Sequence, residues 1–311
     1  MLRIICLFLL SSYACSLNAA VDPIGFDYTE LDALIKSQKP ETFQTPESLT
    51  DFINKKYSTE HEKFRAIFVW VTTNIEWGNS ASKYTAREVF NSRKAVENGY
   101  AELVTLLCDQ CNLKSRKVVG VAKDDLEYFQ TQILFEDVWN IVSINGKFYL
   151  TDLNYSADNY DKTKDTLPQD FDDTYFLLNP ATFILTHFPS NPADQLLPSP
   201  ISEDDFIDGP VFFEKAINYE VTSYSPSVST LKVKVNEKIK FHFEMNYPPV
   251  HMSIQLLKTL DDLQPMNIDL PFTEMGNKIN CDFQISQAGT FYLCIRFDEQ
   301  DAVCYKVEVT Q

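Results

Sequence analysis

The spacing at which apolar residues recur along this chain changes after Asn112. Upstream, apolar residues recur at helical spacing in a stripe formed by Phe64, Ile67, Phe68, Val71 and Ile75. Downstream, apolar residues recur at every second position, and Asn145-Gly146 separates two runs of alternating apolar and polar residues. Asn-Gly in this setting predicts a hairpin, because both turn residues adopt positive φ readily. A helical half followed by an antiparallel sheet predicts an α+β domain.

The same periodicities predict individual elements in this first region. Helices are expected over residues 29–35, 46–53 and 98–112. A further helix is expected to begin at Ser58, which can serve as its N-cap. Strands are expected over residues 117–122, 132–135, 138–144 and 147–153.

A segment rich in proline and acidic residues, 189–210, predicts a domain boundary. Beyond it seven short runs alternate or carry β-forming residues: 219–223, 230–235, 238–245, 252–257, 278–285, 289–297 and 303–309. Seven strands over about a hundred residues predict an all-β immunoglobulin-like sandwich. We therefore expect an α+β domain over residues 21–205 and a sandwich over 206–311.

The first twenty residues have the composition of a secretory signal peptide. Arg3 precedes a short apolar run, and small residues follow it near Val21. The run is too short to span a bilayer, so no transmembrane span is predicted. The expected location is extracellular. In a bacterium it would be periplasmic, or lipid-anchored through Cys15.

The net charge of −17 makes nucleic acid and anionic lipid unfavourable partners. A protein partner is the expectation. The mature chain would keep five cysteines, and export permits disulfides among them. Cys294 and Cys304 flank a predicted turn and could pair across it, or Cys281 could bridge to either one. Cys108-x-x-Cys111 lies near a helix C-terminus, which favours buried thiols over a redox pair.

Four stretches carry a resemblance to a known family. They are EKFRAIFVWVTTNIEW (62–77), TAREVFNSRKAVENGYAELVTLLC (85–108), DVWNIVSINGKFYLTDLNYSA (137–157) and DDTYFLLNPATFILTHFPSNPADQLL (172–197). In this order they resemble the transglutaminase-like superfamily of cysteine peptidases, and most closely its kyphoscoliosis-peptidase branch. The resemblance implies a papain-like first domain followed by a β-sandwich.

The resemblance also locates a degenerate catalytic triad. The family motif Gly-Val-Cys-x-Gly-Tyr-Ala corresponds to residues 95–101, and Glu97 occupies the position of the nucleophile. His-Ala-Trp-Asn corresponds to residues 137–140, so Asp137 replaces the base, and only Asp152 matches the third member. Thiol acyl transfer needs a thiolate and a histidine. The resemblance therefore predicts a pseudoenzyme without catalytic residues.

Other roles for these carboxylates remain open. If Glu97, Asp137 and Asp152 converge, a cation could relieve their repulsion, and oxygen ligands favour Ca²⁺ or Mg²⁺. A carboxylate-based hydrolase is a further alternative. No sequence motif supports the cation site or the hydrolase, so no cofactor or metal ligand is predicted. We expect a structural hydrogen bond from His187, and Asn154-Tyr155-Ser156 is a candidate glycosylation sequence.

Overall fold

The computed structural model of this chain describes residues 26–78, 85–157 and 172–311. The predicted signal peptide, residues 1–20, lies outside the described residues. Ten α-helices occupy the described ranges: α1 (Thr29–Lys36), α2 (Pro46–Lys56), α3 (Glu60–Asn74), α4 (Ala86–Ser92), α5 (Glu97–Gln110), α6 (Tyr128–Thr131), α7 (Leu153–Ala157), α8 (Pro180–Phe183), α9 (Glu203–Asp208) and α10 (Glu214–Asn218). Two 3₁₀ turns lie at Pro40–Thr42 and Pro192–Gln195.

The start of α3 shows how capping residues determine where a helix begins. The Thr59 hydroxyl accepts from the Glu62 amide, and the Glu62 carboxylate accepts from the Thr59 amide, which forms a capping box at the start of α3. The predicted cap, Ser58, is therefore wrong by one residue. The predicted helices over 29–35, 46–53 and 98–112 appear as α1, α2 and α5 with small changes at their ends.

A four-stranded antiparallel sheet organises the first domain. Its strands are β3 (Lys114–Ala122), β4 (Phe135–Ile144), β5 (Lys147–Thr151) and β6 (His187–Pro189), in the order β5-β4-β3-β6. The hairpin predicted at Asn145-Gly146 is confirmed, since both residues have positive φ. Two separate strands were expected over 132–144, whereas β4 is continuous. A small parallel pair precedes the sheet, formed by β1 (Glu76–Trp77) and β2 (Lys94–Ala95).

Two sheets form the second domain. The strands are β7 (Val211–Phe212), β8 (Val221–Ser225), β9 (Thr230–Lys234), β10 (Lys238–Met245), β11 (Met252–Leu257), β12 (Met266–Asp269), β13 (Phe272–Met275), β14 (Lys278–Gln284), β15 (Gly289–Phe297) and β16 (Gln300–Thr310). One sheet has the order β13-β14-β10-β8. The other has the order β12-β11-β15-β16-β7, and β9 also pairs with β16. The immunoglobulin-like sandwich is confirmed, with three short strands beyond the seven predicted.

The cysteines resolve one open alternative. Cys294 and Cys304 face each other across β15 and β16 and form a disulfide. Cys281 is free and buried, so the alternative bridge from it is wrong. Cys108 and Cys111 are also free and buried, as the position of the pair in its helix predicts.

The two faces of the first sheet pack against different layers. Val142 and Ile144 of β4 belong to a core shared with α3 and α5, which we call the helical-side core. Val118, Trp139 and Ile141 belong to a core that continues into the sandwich, which we call the sandwich-side core. Alternation along β4 places these two sets on opposite faces. The second domain therefore covers the sheet face that α5 does not.

Candidate functional site

The N-terminus of α5 is the place where the resemblance locates a nucleophile. Helix α5 packs on the sheet through Asn140, whose amide donates to the Ala101 carbonyl at 3.1 Å. It also packs through Lys117, which donates to Asn98 at 2.8 Å. The next pair on that face of the sheet is Val119 and Val138, and Val119 is 55% exposed. No titratable side chain therefore occupies these two sheet positions near the helix N-terminus.

On the opposite face, three buried side chains converge. Asp137 lies on β4, Asp152 follows β5 directly, and His187 begins β6. The His187 Nε2 atom is 3.2 Å from Asp137 Oδ2 and 3.7 Å from Asp152 Oδ2. The three residues are 3%, 0% and 0% exposed, respectively. We call this group the Asp-Asp-His cluster.

This cluster corrects the expected convergence of three carboxylates. Its third member is His187 and not Glu97, and the three ligand atoms lie within 4.8 Å of one another. Glu97 is the first residue of α5, which packs against the other face of the sheet. Two lysines near the start of α5 have other partners, because Lys94 pairs with Glu76 and Lys117 with Glu102.

In each residue of the cluster, the second polar atom of the side chain contacts a neighbouring amide or hydroxyl group. Asp137 Oδ1 accepts from the Val138 amide at 2.7 Å. Asp152 Oδ1 accepts from the amides of Asn154 and Tyr155 at 2.8 and 3.1 Å, so it caps the start of α7. The Nδ1 atom of His187 contacts the Thr186 hydroxyl at 2.8 Å.

The inward atoms have no such partners. Within the described residues, Asp137 Oδ2, Asp152 Oδ2 and His187 Nε2 are buried and make no hydrogen bond of acceptable geometry. Buried polar atoms are almost always hydrogen-bonded, because an unpaired one costs free energy. Among the described residues, these three atoms therefore have their polar contacts with one another, the shortest being His187 Nε2 to Asp137 Oδ2 at 3.2 Å.

Aromatic rings enclose the His187 imidazole. Trp139, Tyr155, Tyr175 and Phe183 all pack against it, with ring centroids 4.4 to 5.3 Å away. Tyr155 and Tyr175 also line a cavity of about 260 Å³ beside the second domain. Asp124, Glu214 and Asp301 line the same cavity together with one basic residue, Lys215.

The two aspartates differ in their protonation. Burial, together with the neighbouring charge of Asp137, raises the pKa of Asp152 well above its usual value. Burial also acts to raise the pKa of Asp137, but the contacts with His187 and the Val138 amide outweigh it, and this pKa is lowered. Without a bound cation, Asp152 is therefore the protonated member of the pair.

Comparisons with known proteins find relatives of the first domain. The transglutaminase-like superfamily model matches residues 47–153, from α2 to the start of α7. Kyphoscoliosis peptidase of Mus musculus is 28% identical over 215 residues, which are 66% of this chain and 32% of that protein. The first domain therefore matches the transglutaminase-like superfamily over residues 47–153, and the chain is similar to kyphoscoliosis peptidase. The chain spans about a third of the length of these curated relatives.

Two further matches extend the comparison. Hillarin of Drosophila melanogaster is 25% identical over 235 residues, 67% of this chain and 28% of that protein. Among solved structures, one described as the IG27 protein domain matches 26% of this chain and 89% of its own, at 22% identity and a TM-score of 0.20. The all-β character of the second domain rests on its own strands.

The remaining sequence expectations for this transglutaminase-like chain have mixed outcomes. Asn154 is buried, and Ser156 of the same tripeptide is fully buried, so the folded chain does not present this sequence for glycosylation. The part of the chain that the structure describes contains no helix long and apolar enough to cross a bilayer. His187 was expected to make a structural hydrogen bond, and its convergence with two aspartates was missed. The only available signal was a histidine inside the apolar run 183–188.

Proposed function

We propose that this transglutaminase-like chain is a secreted, non-catalytic protein that binds a protein partner. The observation that carries the proposal is the chemistry at the N-terminus of α5. A thiol enzyme of this type needs a cysteine there and a base within hydrogen-bond reach. Glu97 occupies the first of these places, and Asp137, at the position of the base, contacts His187 instead.

The free cysteines of the described residues support the absence of thiol chemistry. Cys108 and Cys111 lie at the other end of α5, and burial raises the pKa of Cys108 to about 12 and that of Cys111 to about 11. Cys281 lies in the sandwich, and burial raises its pKa to about 12. A thiol with such a pKa is almost entirely protonated at neutral pH and is a poor nucleophile.

Exposed apolar residues near the start of β4 support a binding role. Val119 and Ile133 are more than half exposed, and Phe135 is nearly so. Val119 lies on the sheet face that carries α5, at the end where transglutaminase-like enzymes would have their catalytic groups, whereas Phe135 lies on the opposite face. Exposed apolar groups of this kind are typical of protein interaction sites.

Hydrolysis through the buried carboxylates is the weaker alternative. Asp137 and Asp152 are almost completely buried, so a substrate would not reach them in this conformation.

The first test separates catalysis from binding. The mature chain should neither hydrolyse peptide amides nor form isopeptide cross-links, and Glu97→Gln should change nothing. Turnover by the wild-type chain that Glu97→Gln abolishes would contradict the proposal. Binding is tested with a photoreactive amino acid placed at Val119 or, as a control, at Val250, which is 91% exposed in the sandwich. We expect one dominant cross-linked partner in extracellular material from the Val119 variant and none from the Val250 variant.

A further inference from the structure

The Asp-Asp-His cluster has the donor set of a transition-metal site. It offers two carboxylate oxygens and one imidazole nitrogen from three neighbouring segments of the first sheet. Imidazole suits zinc and other late transition ions, whereas Ca²⁺ and Mg²⁺ take oxygen ligands almost exclusively. The histidine therefore changes the expectation based on carboxylates alone.

The spacing of the donors fits one small ion. In a tetrahedral zinc site with ligand bonds of roughly 2.0 to 2.2 Å, the donor atoms are roughly 3.3 to 3.6 Å apart. The Nε2 atom of His187 is 3.2 and 3.7 Å from the two Oδ2 atoms. A Ca²⁺ ion needs six to eight oxygens at longer distances, which this three-donor cluster does not supply.

The surroundings orient the donors as they do in metal sites. Metal-binding residues commonly use their second polar atom in a hydrogen bond that fixes the first. Here Asp137 and Asp152 use Oδ1 for backbone amides, and His187 uses Nδ1 for the Thr186 hydroxyl. The remaining atom of each residue is buried, without a hydrogen bond, and aimed at the other two.

The charge of the cluster also suits a divalent cation. Among the described residues no lysine or arginine forms an ion pair with Asp137 or Asp152, and His187 is the basic group beside them. A divalent ion bound by two carboxylates and one imidazole nitrogen would leave the buried site without net charge. We propose that Asp137, Asp152 and His187 bind a structural Zn²⁺ ion that ties β4, the end of β5 and β6 together.

This site is independent of the proposed function, since a zinc-loaded chain without thiol chemistry satisfies both. The ion would be structural because all three ligand residues are almost completely buried.

The test uses the full mature chain, stripped with a chelator and titrated with Zn²⁺. We expect one equivalent to bind and the thermal midpoint to rise by several degrees once free zinc exceeds the dissociation constant about a hundredfold. His187→Gln should abolish both effects, and Asp152→Asn should weaken binding at least tenfold. Thr186→Val should keep the stoichiometry and weaken binding about 10- to 100-fold, because it removes the contact that orients His187.

A matched control comes from the surface of the sandwich. His251 lies 2.8 Å from Glu299 and 3.4 Å from Asp269, but it is exposed, and His251→Gln should leave zinc binding unchanged. The proposal is overturned if the wild-type midpoint does not move with zinc, or if His187→Gln binds zinc as tightly as the wild type.

A second measurement covers the case in which His187→Gln does not fold. The zinc X-ray absorption spectrum of the loaded wild-type chain should show only nitrogen and oxygen neighbours at about 2.0 Å. Sulfur neighbours at about 2.3 Å would place the ion on a cysteine and overturn the assignment.

Discussion

The two sides of the first sheet satisfy their buried polar groups in different ways. On the helical side, Asn140 and Lys117 are paired with residues of α5, and Arg65 of α3 donates to Asp32 and Asp173. On the sandwich side, Asp137, Asp152 and His187 converge without such partners. The charged groups named on the helical side are thus paired within the chain, whereas those on the sandwich side would be balanced by a proton or an ion from solution.

Two buried cations sharpen the same contrast. The Arg65 guanidinium is neutralised by two carboxylates, with N–O distances of 2.6 Å to each. Lys123, which follows β3, donates instead to the carbonyls of Phe206 and Gly209, at 2.9 Å for Gly209. Carbonyl oxygens carry no formal charge, so burial lowers the pKa of Lys123 to about 7. A lysine placed in this way joins the first domain to α9 and to the residue after it.

The largest effect is expected from breaking the helical-side network. Arg65→Met removes a buried cation and leaves Asp32 and Asp173 facing each other, which should lower the free energy of unfolding by about 3 kcal/mol or more. The control is Arg87→Met, since the pair of Arg87 with Glu47 is solvent-exposed and should contribute under about 1 kcal/mol. Urea unfolding of the mature chain measures both. Equal losses would show that the helical-side network is not specially important.

The next effect concerns packing on the sandwich side. A Cβ atom added at Gly120 would lie 2.4 Å from the Trp139 ring and 2.3 Å from the Phe188 carbonyl oxygen. Gly120→Ala should therefore lower the free energy of unfolding by about 1–3 kcal/mol. Gly78→Ala is the control, because nothing lies within 4 Å of its added Cβ atom. Similar urea midpoints for both variants would contradict this tight packing.

The smallest effect is a pH dependence from Lys123. Its pKa is about 7 in the folded chain and has the ordinary lysine value of 10.5 in the unfolded chain, so between these values the unfolded chain binds more protons. Stability should then rise with pH, by roughly 1–2 kcal/mol between pH 7 and about pH 8.5. The Lys123→Met variant should lack this rise in stability. The buried cysteines also make stability depend on pH, and they do so equally in both chains. The difference between the two urea-unfolding profiles isolates the lysine, and parallel profiles would refute the assignment.

Much of the fold follows from periodicity alone. The alternation in β10, β14 and β15 identifies these strands closely, because one side of each faces the sandwich core. Strands β7, β12 and β13 were missed because they have two to four residues, too few for a period to appear. Strand β4 was divided in two because Glu136 and Asp137 interrupt its apolar run. A buried aspartate inside a strand has no signature in the local pattern.

The site was less accessible to sequence reasoning. Asp137 and Asp152 were identified through the resemblance. Their contact with His187 depends on which face of the sheet each side chain lies on and on where β6 joins the sheet. His187 is 35 residues from Asp152, and residues 158–171 between them are outside the described part of the chain. Only the pairing of β6 with β3 brings this histidine to the two aspartates.

The position of β16 has a consequence for the time course of biosynthesis. This strand pairs with β15, β7 and β9, so the second sheet of the sandwich cannot be completed without it. Phe212 of β7 pairs with Val303, about ninety residues later. At roughly 5 to 20 residues per second, a ribosome needs roughly 5 to 20 seconds to make that stretch. During this interval Trp139 and Ile141 have no finished sandwich to cover them, so the nascent chain is most vulnerable to aggregation at this stage.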